Sequence, residues 1–239
     1  MREYNIDFHI HSRESGGTSA DMTLPNIASQ ARLKGLDCVG TGDALHPSWL
    51  SHMRENLKVS GDGVYAALNS ETRFIVSTEV EDARRVHHVI LLPSIAAAEQ
   101  LSLALRKHSV DIEKDGRPHV RLLGAEIVDY AREVGGLVGP SHAFTPWTAV
   151  YKEYDCLRDC YQDNLKYVHF LELGLSADSD MADRIGELSD VVFTSNSDCH
   201  SPWPHRLGRE FNRLRLEELS FPEIVKALRR EAGLSLIHI

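Results

Sequence analysis

Short apolar runs rich in β-branched residues alternate along the chain with polar or amphipathic stretches. Runs of this kind, bounded by turn-forming residues, are typical of buried β-strands. We predict seven strands, at Tyr4–Ile10, Cys38–Thr41, Phe74–Thr78, Val89–Leu92, Leu137–Gly139, Val168–Leu173 and Val191–Ser195.

Several stretches between the runs carry apolar residues at spacings of three and four, which predicts amphipathic helices. The clearest is Leu24–Lys34, with Thr23 as its N-cap, Pro25 in its first turn and Gly35 as its stop. Further helices are predicted over Ser94–Lys107, Ala125–Val134, Asp178–Leu188 and Ser220–Arg230, the last opened by a capping box.

This alternation of strands and helices indicates βα units around a parallel sheet. Seven strands in about 230 residues fit a closed or nearly closed α/β barrel better than an open sheet, and a doubly wound α/β fold is the alternative. No dinucleotide-binding or Walker motif follows the first strand, which disfavours a nucleotide cofactor. We predict one domain over residues 1–233, followed by a non-native tail at 234–239, and we expect a C-terminal domain to be missing.

The composition, with 42% hydrophobic and 26% charged residues, is that of a soluble globular protein. No apolar run approaches the ~20 residues that span a bilayer, so we predict a cytoplasmic protein without a membrane partner. Four cysteines form no disulfide framework and no paired zinc-binding motif. The formal charge of −9 argues against binding polyanions through a bulk positive field, so bound cations would have to attract a phosphate substrate.

Two histidines end the first apolar run. His9 and His11 are two residues apart, so in a strand both imidazoles point to the same face. Neutral imidazoles suit zinc, manganese or iron, whereas calcium and magnesium prefer oxygen ligands. Taken alone, the pair could also be two surface histidines on an edge strand.

Other histidines and acids also follow predicted strands. In α/β folds with parallel strands, ligands collect beyond the carboxyl ends of the strands. Each residue has an ordinary alternative role in a turn, a loop or a solvent-facing position, but their joint placement favours a metal site. They are Asp43 after the second strand, Glu79 after the third, His142 after the fifth, and Asp198 and His200 after the seventh.

The adjacent residues His87 and His88 do not fit this arrangement directly, because they precede the fourth run. Either that strand starts earlier, near Arg84, or these two histidines are not ligands. His119 lies in a predicted loop, and it could complete a metal site or be an ordinary loop histidine.

The order of these motifs resembles that of the polymerase and histidinol phosphatase (PHP) superfamily, over nearly the whole chain. The matching motifs are Asp7-x-His9-x-His11, the Thr41–Asp43 turn, Glu79, His88 before an aliphatic run, His142 and Ser197–His200. Five longer segments are similar to the endonuclease Q branch of the superfamily: Asn26–Pro47, Thr78–His88, Gly139–Trp147, Glu172–Asp180 and His200–Phe211.

The resemblance implies a distorted (β/α)7 barrel with a trinuclear metal centre. It implies one ion bound by His9, His11, Glu79 and Asp198, a second by Glu79, His88 and His142, and a third by Asp43 and His200. The superfamily often has histidine at the position of Asp43 and another histidine near Arg13–Gly17, so the third site stays open, with His46 as a candidate to complete it. Zinc, manganese or iron are the expected ions, with magnesium as an alternative for activity.

The resemblance further implies cleavage of DNA on the 5′ side of deaminated bases (uracil, hypoxanthine or xanthine) or abasic sites. Two or three ions can activate a water and clamp both reacting oxygens of a phosphate ester. We expect catalytic roles for Glu79, His142 and Asp198, and contacts with damaged DNA from Phe144, Trp147 and Arg206.

Three alternatives stay open at this point. The two aromatic rings could be core or loop anchors rather than base-stacking residues. The chain could be a phosphatase for small phosphomonoesters, or a non-catalytic PHP module that meets repair or replication proteins.

Overall fold

The structure is a computed structural model of the 239-residue chain, and it describes residues 1–68, 70–231 and 235–238. The strands are β1 (Arg2–Asp7), β2 (Cys38–Gly40), β3 (Leu57–Gly61), β4 (Val64–Ala67), β5 (Arg73–Glu81), β6 (His87–Leu92), β7 (Leu137–Pro140), β8 (Phe170–Glu172), β9 (Val192–Thr194), β10 (Asn212–Leu216) and β11 (Ser235–His238). The helices are α1 (Leu24–Lys34), α2 (Pro47–Asn56), α3 (Ile95–Leu105), α4 (Gly124–Glu133), α5 (Val150–Glu153), α6 (Leu157–Tyr161), α7 (Ser179–Ala182) and α8 (Phe221–Leu228).

All seven predicted strands are present, and together they form a nearly closed barrel. β1, β2 and β5 lie side by side in parallel, and β6 and β7 continue the sheet. β8 and β9 pair in parallel, and a parallel bridge between Val138 and Val168 connects β7 to the segment before β8. A second parallel bridge, between Ile10 and Cys199, joins the segments after β9 and β1 and closes the ring.

β6 departs from the expected parallel arrangement, because it runs antiparallel to both β5 and β7. The cause is a tight hairpin, in which one carboxylate oxygen of Asp82 accepts hydrogen bonds from the backbone N–H groups of Arg84 and Val86, each at 2.8 Å. A connection this short permits only antiparallel pairing, since a parallel crossover needs a dozen or more residues. The beginning of β6 therefore lies at the same edge of the barrel as the carboxyl ends of its neighbours.

The predicted helices differ in how well they match. α1 has the predicted bounds, and α3 and α8 begin at serine caps, where Ser94 accepts from the N–H of Ala97 and Ser220 from that of Glu223. The stretch Asp178–Leu188 contains only the four-residue helix α7 and a short 3-10 turn. The sequence analysis missed helix α2 and the β3–β4 hairpin, whose first strand is largely exposed and lacks an apolar pattern.

The C-terminal stretch was expected to be a non-native tail. Residues 235–238 form β11, which pairs antiparallel with β10 at one end of the sheet. Residues 234 and 239 lie outside the described residues. Among the helices that the structure describes, none is long and apolar enough to cross a bilayer.

Two buried apolar clusters support the edge of the barrel that carries the histidines. The larger cluster packs helices α1 to α4 against the strands and includes Ile10 and Trp49. The smaller cluster contains Phe8, Val89 and Phe170 and is covered by α8. Close packing on both sides fixes the strand ends, and therefore the side chains that follow them.

Candidate metal centre

Glu79 lies at the centre of a buried group of imidazoles contributed by three different parts of the barrel. Its Oε1 lies 3.5 Å from Nε2 of His9, 3.2 Å from Nδ1 of His87 and 3.3 Å from Nε2 of His142. Its Oε2 lies 3.4 Å from Nε2 of His11. Glu79 is 1% exposed, so the carboxylate has no access to bulk water that could solvate its charge.

Asp198 and His200 extend this group towards solvent. Oδ1 of Asp198 lies 3.2 Å from Nε2 of His11 and 3.7 Å from Nε2 of His9. The ring of His200 lies 4.5 Å from that of His11, centre to centre. Around Glu79, three sets have mutually close ligand atoms: His9–His11–Glu79, Glu79–His87–His142 and His11–Asp198–His200. A fourth set, Asp82–His88–Cys160, does not include Glu79.

The spacing of these atoms fits a bound cation better than hydrogen bonds among the side chains. Ligands at 2.0–2.1 Å from a tetrahedral zinc ion are about 3.3 Å apart, which matches the separations in the cluster. Four buried atoms of the cluster have no hydrogen-bond partner: Nε2 of His9, Nε2 of His11, Oε1 of Glu79 and Nδ1 of His87. Unpartnered buried polar atoms are costly, and cations bound among these side chains would satisfy all four. The residues present therefore support divalent metal binding.

Each of three central imidazoles is held from behind by a carboxylate. A carboxylate on one ring nitrogen fixes the tautomer and turns the other nitrogen towards a metal. The pairs are Glu172 with Nδ1 of His9 at 2.8 Å, Asp43 with Nδ1 of His11 at 3.1 Å, and Glu81 with Nε2 of His87 at 3.0 Å.

The charges of the cluster are strongly coupled. Burial raises the pKa of Glu79, but the neighbouring His87 and His9 more than offset this and hold it well below its usual range. Burial lowers the pKa of His9, but the carboxylates of Glu172 and Glu79 hold it well above its usual range. Protons and metal ions therefore compete for the same nitrogen atoms.

Three residues of the site adopt left-handed backbone conformations that are uncommon outside glycine. Asp43 has a φ of 48°, His142 of 29° and Asp198 of 46°, and each follows the end of a barrel strand. Such conformations cost ~1–3 kcal/mol each and persist where the surrounding packing imposes them. Strain gathered at one edge of the barrel is typical of a functional site.

Asp43 lies behind His11 rather than among the atoms that face the centre. It is fully buried, and its Oδ2 accepts hydrogen bonds from the backbone N–H of Ser12 at 2.6 Å and from Oγ of Ser15 at 2.9 Å. Gly116 packs so closely that a Cβ there would lie 2.4 Å from the Asp43 carboxylate. Protein donors thus surround the group that the family resemblance assigns to a third ion.

His88 was expected to be a ligand of the second ion, but the structure places it outside the cluster. Its Nε2 lies 3.3 Å from Oδ2 of Asp82 and its Nδ1 lies 2.9 Å from the hydroxyl of Tyr161. His87 occupies the position that was expected for His88, beside Glu79 and His142. The register explains the difference, because His87 pairs with Glu81 and shares a face of the β5–β6 hairpin with Glu79, whereas His88 pairs with Val80 on the other face.

The two histidines left open by the sequence also lie outside the centre. Nδ1 of His119 lies 2.9 Å from Oε1 of Glu81, so this histidine supports the carboxylate behind His87. His46 is buried, and its Nδ1 lies 3.8 Å from Glu14 and has no hydrogen-bond partner. Neither belongs to a set of clustered ligand atoms among the described residues.

A cavity of about 360 Å³ opens beside the cluster. It is lined by His87, Arg117, His142, Thr145, Trp147, Thr148, Glu172, Gly174, Leu175, Asn196, Asp198 and Arg209. Trp147 lines this cavity and is 76% exposed. Phe144 instead stacks on Tyr151, with ring centres 5.2 Å apart, and packs against the core.

Arg206, which the sequence analysis expects to contact damaged DNA, is exposed and does not line this cavity, whereas Arg117 and Arg209 do. Arg117 was missed because its segment follows no predicted strand, and only the fold brings it to the cluster.

Comparison with solved structures shows strong similarity to one lesion-specific nuclease. The crystal structure of endonuclease Q from Pyrococcus furiosus gives a TM-score of 0.94 at 46% sequence identity. A structure of endonuclease Q with a 27-mer duplex substrate bearing an abasic lesion at the active site gives 0.93 at 46% identity. Each alignment covers 98% of this chain and 58% of the endonuclease Q chain, so this chain spans less than two thirds of that protein.

Other similarities concern sequence or fold alone. The uncharacterized protein MJ0043 of Methanocaldococcus jannaschii is 46% identical over 149 residues, which cover 62% of this chain and 17% of that protein. A Bacteroides vulgatus protein containing a predicted PHP-like metal-dependent phosphoesterase gives a TM-score of 0.59 at 15% identity, over 99% of this chain and 65% of the other. No protein-family model matches the chain. The comparisons confirm the predicted α/β barrel of the PHP type.

Proposed function

This chain resembles the endonuclease Q branch of the PHP superfamily, and we propose that it is a metal-dependent phosphodiesterase that nicks DNA 5′ of a deaminated base or an abasic site. The observation that carries the proposal is the buried carboxylate of Glu79, shared between two sets of imidazoles at ligand spacing. A carboxylate shared in this way can hold two divalent ions close together, which is the arrangement of many phosphoester hydrolases.

We propose two ion sites. His9, His11, Glu79 and Asp198 would hold the first ion, and Glu79, His87 and His142 the second. Imidazole-rich sites of this kind suit zinc, manganese or iron. We do not include Asp43 as a ligand, because its carboxylate is already occupied by Ser12, Ser15 and His11.

Paired divalent ions in such a centre lower the pKa of a water and offset the negative charge of a phosphate ester. The chain's own residues prepare the centre for them. Glu172, Asp43 and Glu81 hold the imidazoles of His9, His11 and His87 in one orientation. Preorganised ligands need no rearrangement when the substrate arrives.

The cavity beside the ions favours DNA over a small phosphomonoester. The Trp147 ring is exposed at the cavity and offers a stacking surface to a base, worth ~1–3 kcal/mol. Endonuclease Q, which shares the fold, has been crystallised with a duplex bearing an abasic lesion at its active site. The complete sets of clustered ligands favour an enzyme over a non-catalytic module. The preferred lesion, a cytoplasmic location, and repair or replication partners stay predictions.

The experiment is nicking of a duplex that carries one deoxyuridine, hypoxanthine or abasic site, with manganese, magnesium or zinc. We expect a nick 5′ of the lesion, no nick in the undamaged duplex and loss of nicking in Asp198→Ala. The control is Arg54→Ala, which removes an exposed charge that pairs with Glu99. Neither Arg54 nor Glu99 belongs to the ligand sets or to the cavity lining among the described residues. Undiminished nicking by Asp198→Ala would contradict the proposal. Hydrolysis of small phosphomonoesters without action on DNA would show instead that the protein is a phosphatase.

A further inference from the structure

We propose that Arg117 binds a non-bridging oxygen of the substrate phosphate and supplies positive charge to it beside the metal centre. This inference rests on the proposed function, since it concerns the phosphate group that the metal centre would attack. Arg117 lines the cavity together with His87, His142 and Asp198, so its guanidinium and the proposed ligands face the same space.

The loop that carries Arg117 is fixed on both sides. The N–H of Gly116 donates to the carbonyl of Glu14 at 3.0 Å, and the carbonyl of Pro118 accepts from the N–H of Glu81 at 3.0 Å. The N–H of Arg117 itself donates to Oδ1 of Asp115 at 3.0 Å. These contacts tie the loop to the segment after β1 and to the end of β5. The backbone of Arg117 is therefore fixed, and its guanidinium lies beside the cluster.

The donors of this guanidinium are largely free. Within the described part of the chain, its one hydrogen-bond acceptor is Oε2 of Glu79, at the long distance of 3.5 Å. A guanidinium has five N–H donors in a planar fork that matches two phosphate oxygens. The Arg117 side chain is 29% exposed, which leaves these donors open to a ligand in the cavity.

The loop that carries Arg117 also packs against Asp43, and the cavity beside it holds few other cations. Gly116 packs against the Asp43 carboxylate, whose oxygens are engaged by Ser12, Ser15 and His11. Arg117 is the next residue along the chain. Of the described residues that line the cavity, Arg117 and Arg209 alone carry permanent positive charge, and Nε of Arg209 is engaged with the carbonyl of Ser197 at 2.9 Å.

The test compares the metal-loaded chain with its Arg117→Gln and Arg117→Lys variants, and with Arg54→Ala as a surface-charge control. Three quantities are measured: metal content, the affinity for inorganic phosphate by calorimetry, and nicking of the lesion duplex. We expect Arg117→Gln to keep its metal, to bind phosphate about tenfold more weakly or worse, and to lose ~10²–10³-fold in kcat/KM. Arg117→Lys should recover part of both losses, and added guanidinium ion should restore part of the nicking by Arg117→Gln.

The outcomes separate this inference from the proposed function. If the parent chain nicks no lesion duplex but its phosphate affinity depends on Arg117, the endonuclease proposal fails and the inference stands. If Arg117→Gln nicks DNA and binds phosphate like the parent chain, the inference is overturned while the function stands. Loss of metal in Arg117→Gln would also overturn it, because Arg117 would then support the ligands rather than the substrate.

Discussion

Glu79 and His87 face each other across the β5–β6 hairpin, with Oε1 of the carboxylate 3.2 Å from Nδ1 of the imidazole. Their contact follows from the hairpin register, which pairs His87 with Glu81 and so brings it to the face of Glu79. The adjacent His88 points to the opposite face, where it contacts Asp82 and Tyr161. Two histidines next to each other in the sequence therefore have different roles.

This difference predicts that alanine substitutions of His87 and His88 affect different properties, the metal content and the stability. His87→Ala should remove a ligand of the second ion and lower the metal content by about one equivalent. His88→Ala should keep its metal but lose ~1–3 kcal/mol of unfolding free energy, because Asp82 would keep a buried, partly unpartnered carboxylate. Elemental analysis and urea denaturation measure the two effects. The reverse pattern, with metal lost in His88→Ala alone, would contradict the assignment.

Asp43 should act on the metal through His11. We expect Asp43→Asn to keep the number of bound ions and to bind them ~10–100-fold more weakly, as found for carboxylates that orient ligating histidines. Asn retains an acceptor for the N–H of Ser12 but loses the charge beside His11. A metal titration followed by elemental analysis distinguishes the two roles, since a direct ligand would cost a whole equivalent.

Trp147 should contribute to DNA binding and hardly to folding, because its side chain is 76% exposed. We expect Trp147→Ala to weaken binding of the lesion duplex by ~1–3 kcal/mol while the unfolding free energy stays within about 0.5 kcal/mol. Trp203, 44% exposed and not part of the cavity lining, is the matched control. Equal losses of DNA affinity in Trp147→Ala and Trp203→Ala would show that the effect is not specific to the cavity.

The four thiols should differ in reactivity. Burial raises the pKa of Cys38 and of Cys199 to about 12, and Cys160 is also buried with a raised pKa, so these three lack reactive thiolate at neutral pH. Cys156 is half-buried. A thiol reagent should therefore modify about one group in the native protein and four after unfolding in denaturant. Rapid modification of all four in the native state would contradict the buried positions.

Much of the architecture could be predicted because its signals are local. The apolar runs located all seven barrel strands, and the predicted caps at Thr23 and Ser220 marked the starts of two helices. The strand ends then suggested where ligands would gather, and the structure brings His9, His11, Glu79, His142, Asp198 and His200 together. The predicted Asp178–Leu188 helix was mostly wrong: Ala182 and Leu188 pack into the larger core, but from a four-residue helix and a separate 3-10 turn, because short helices are marginal and packing decides their extent.

The remaining features depend on contacts between distant parts of the chain. The sequence by itself determined which residue types follow each strand, because the two-residue period of a strand and the composition of a turn are local properties. Only the tertiary structure decided that β6 runs antiparallel, that His87 rather than His88 faces Glu79, that Asp43 supports His11, and that Arg117 rather than Arg206 reaches the cavity. Register, strand direction and the docking of a loop are set by packing across the whole barrel, and no local pattern in the sequence encodes them.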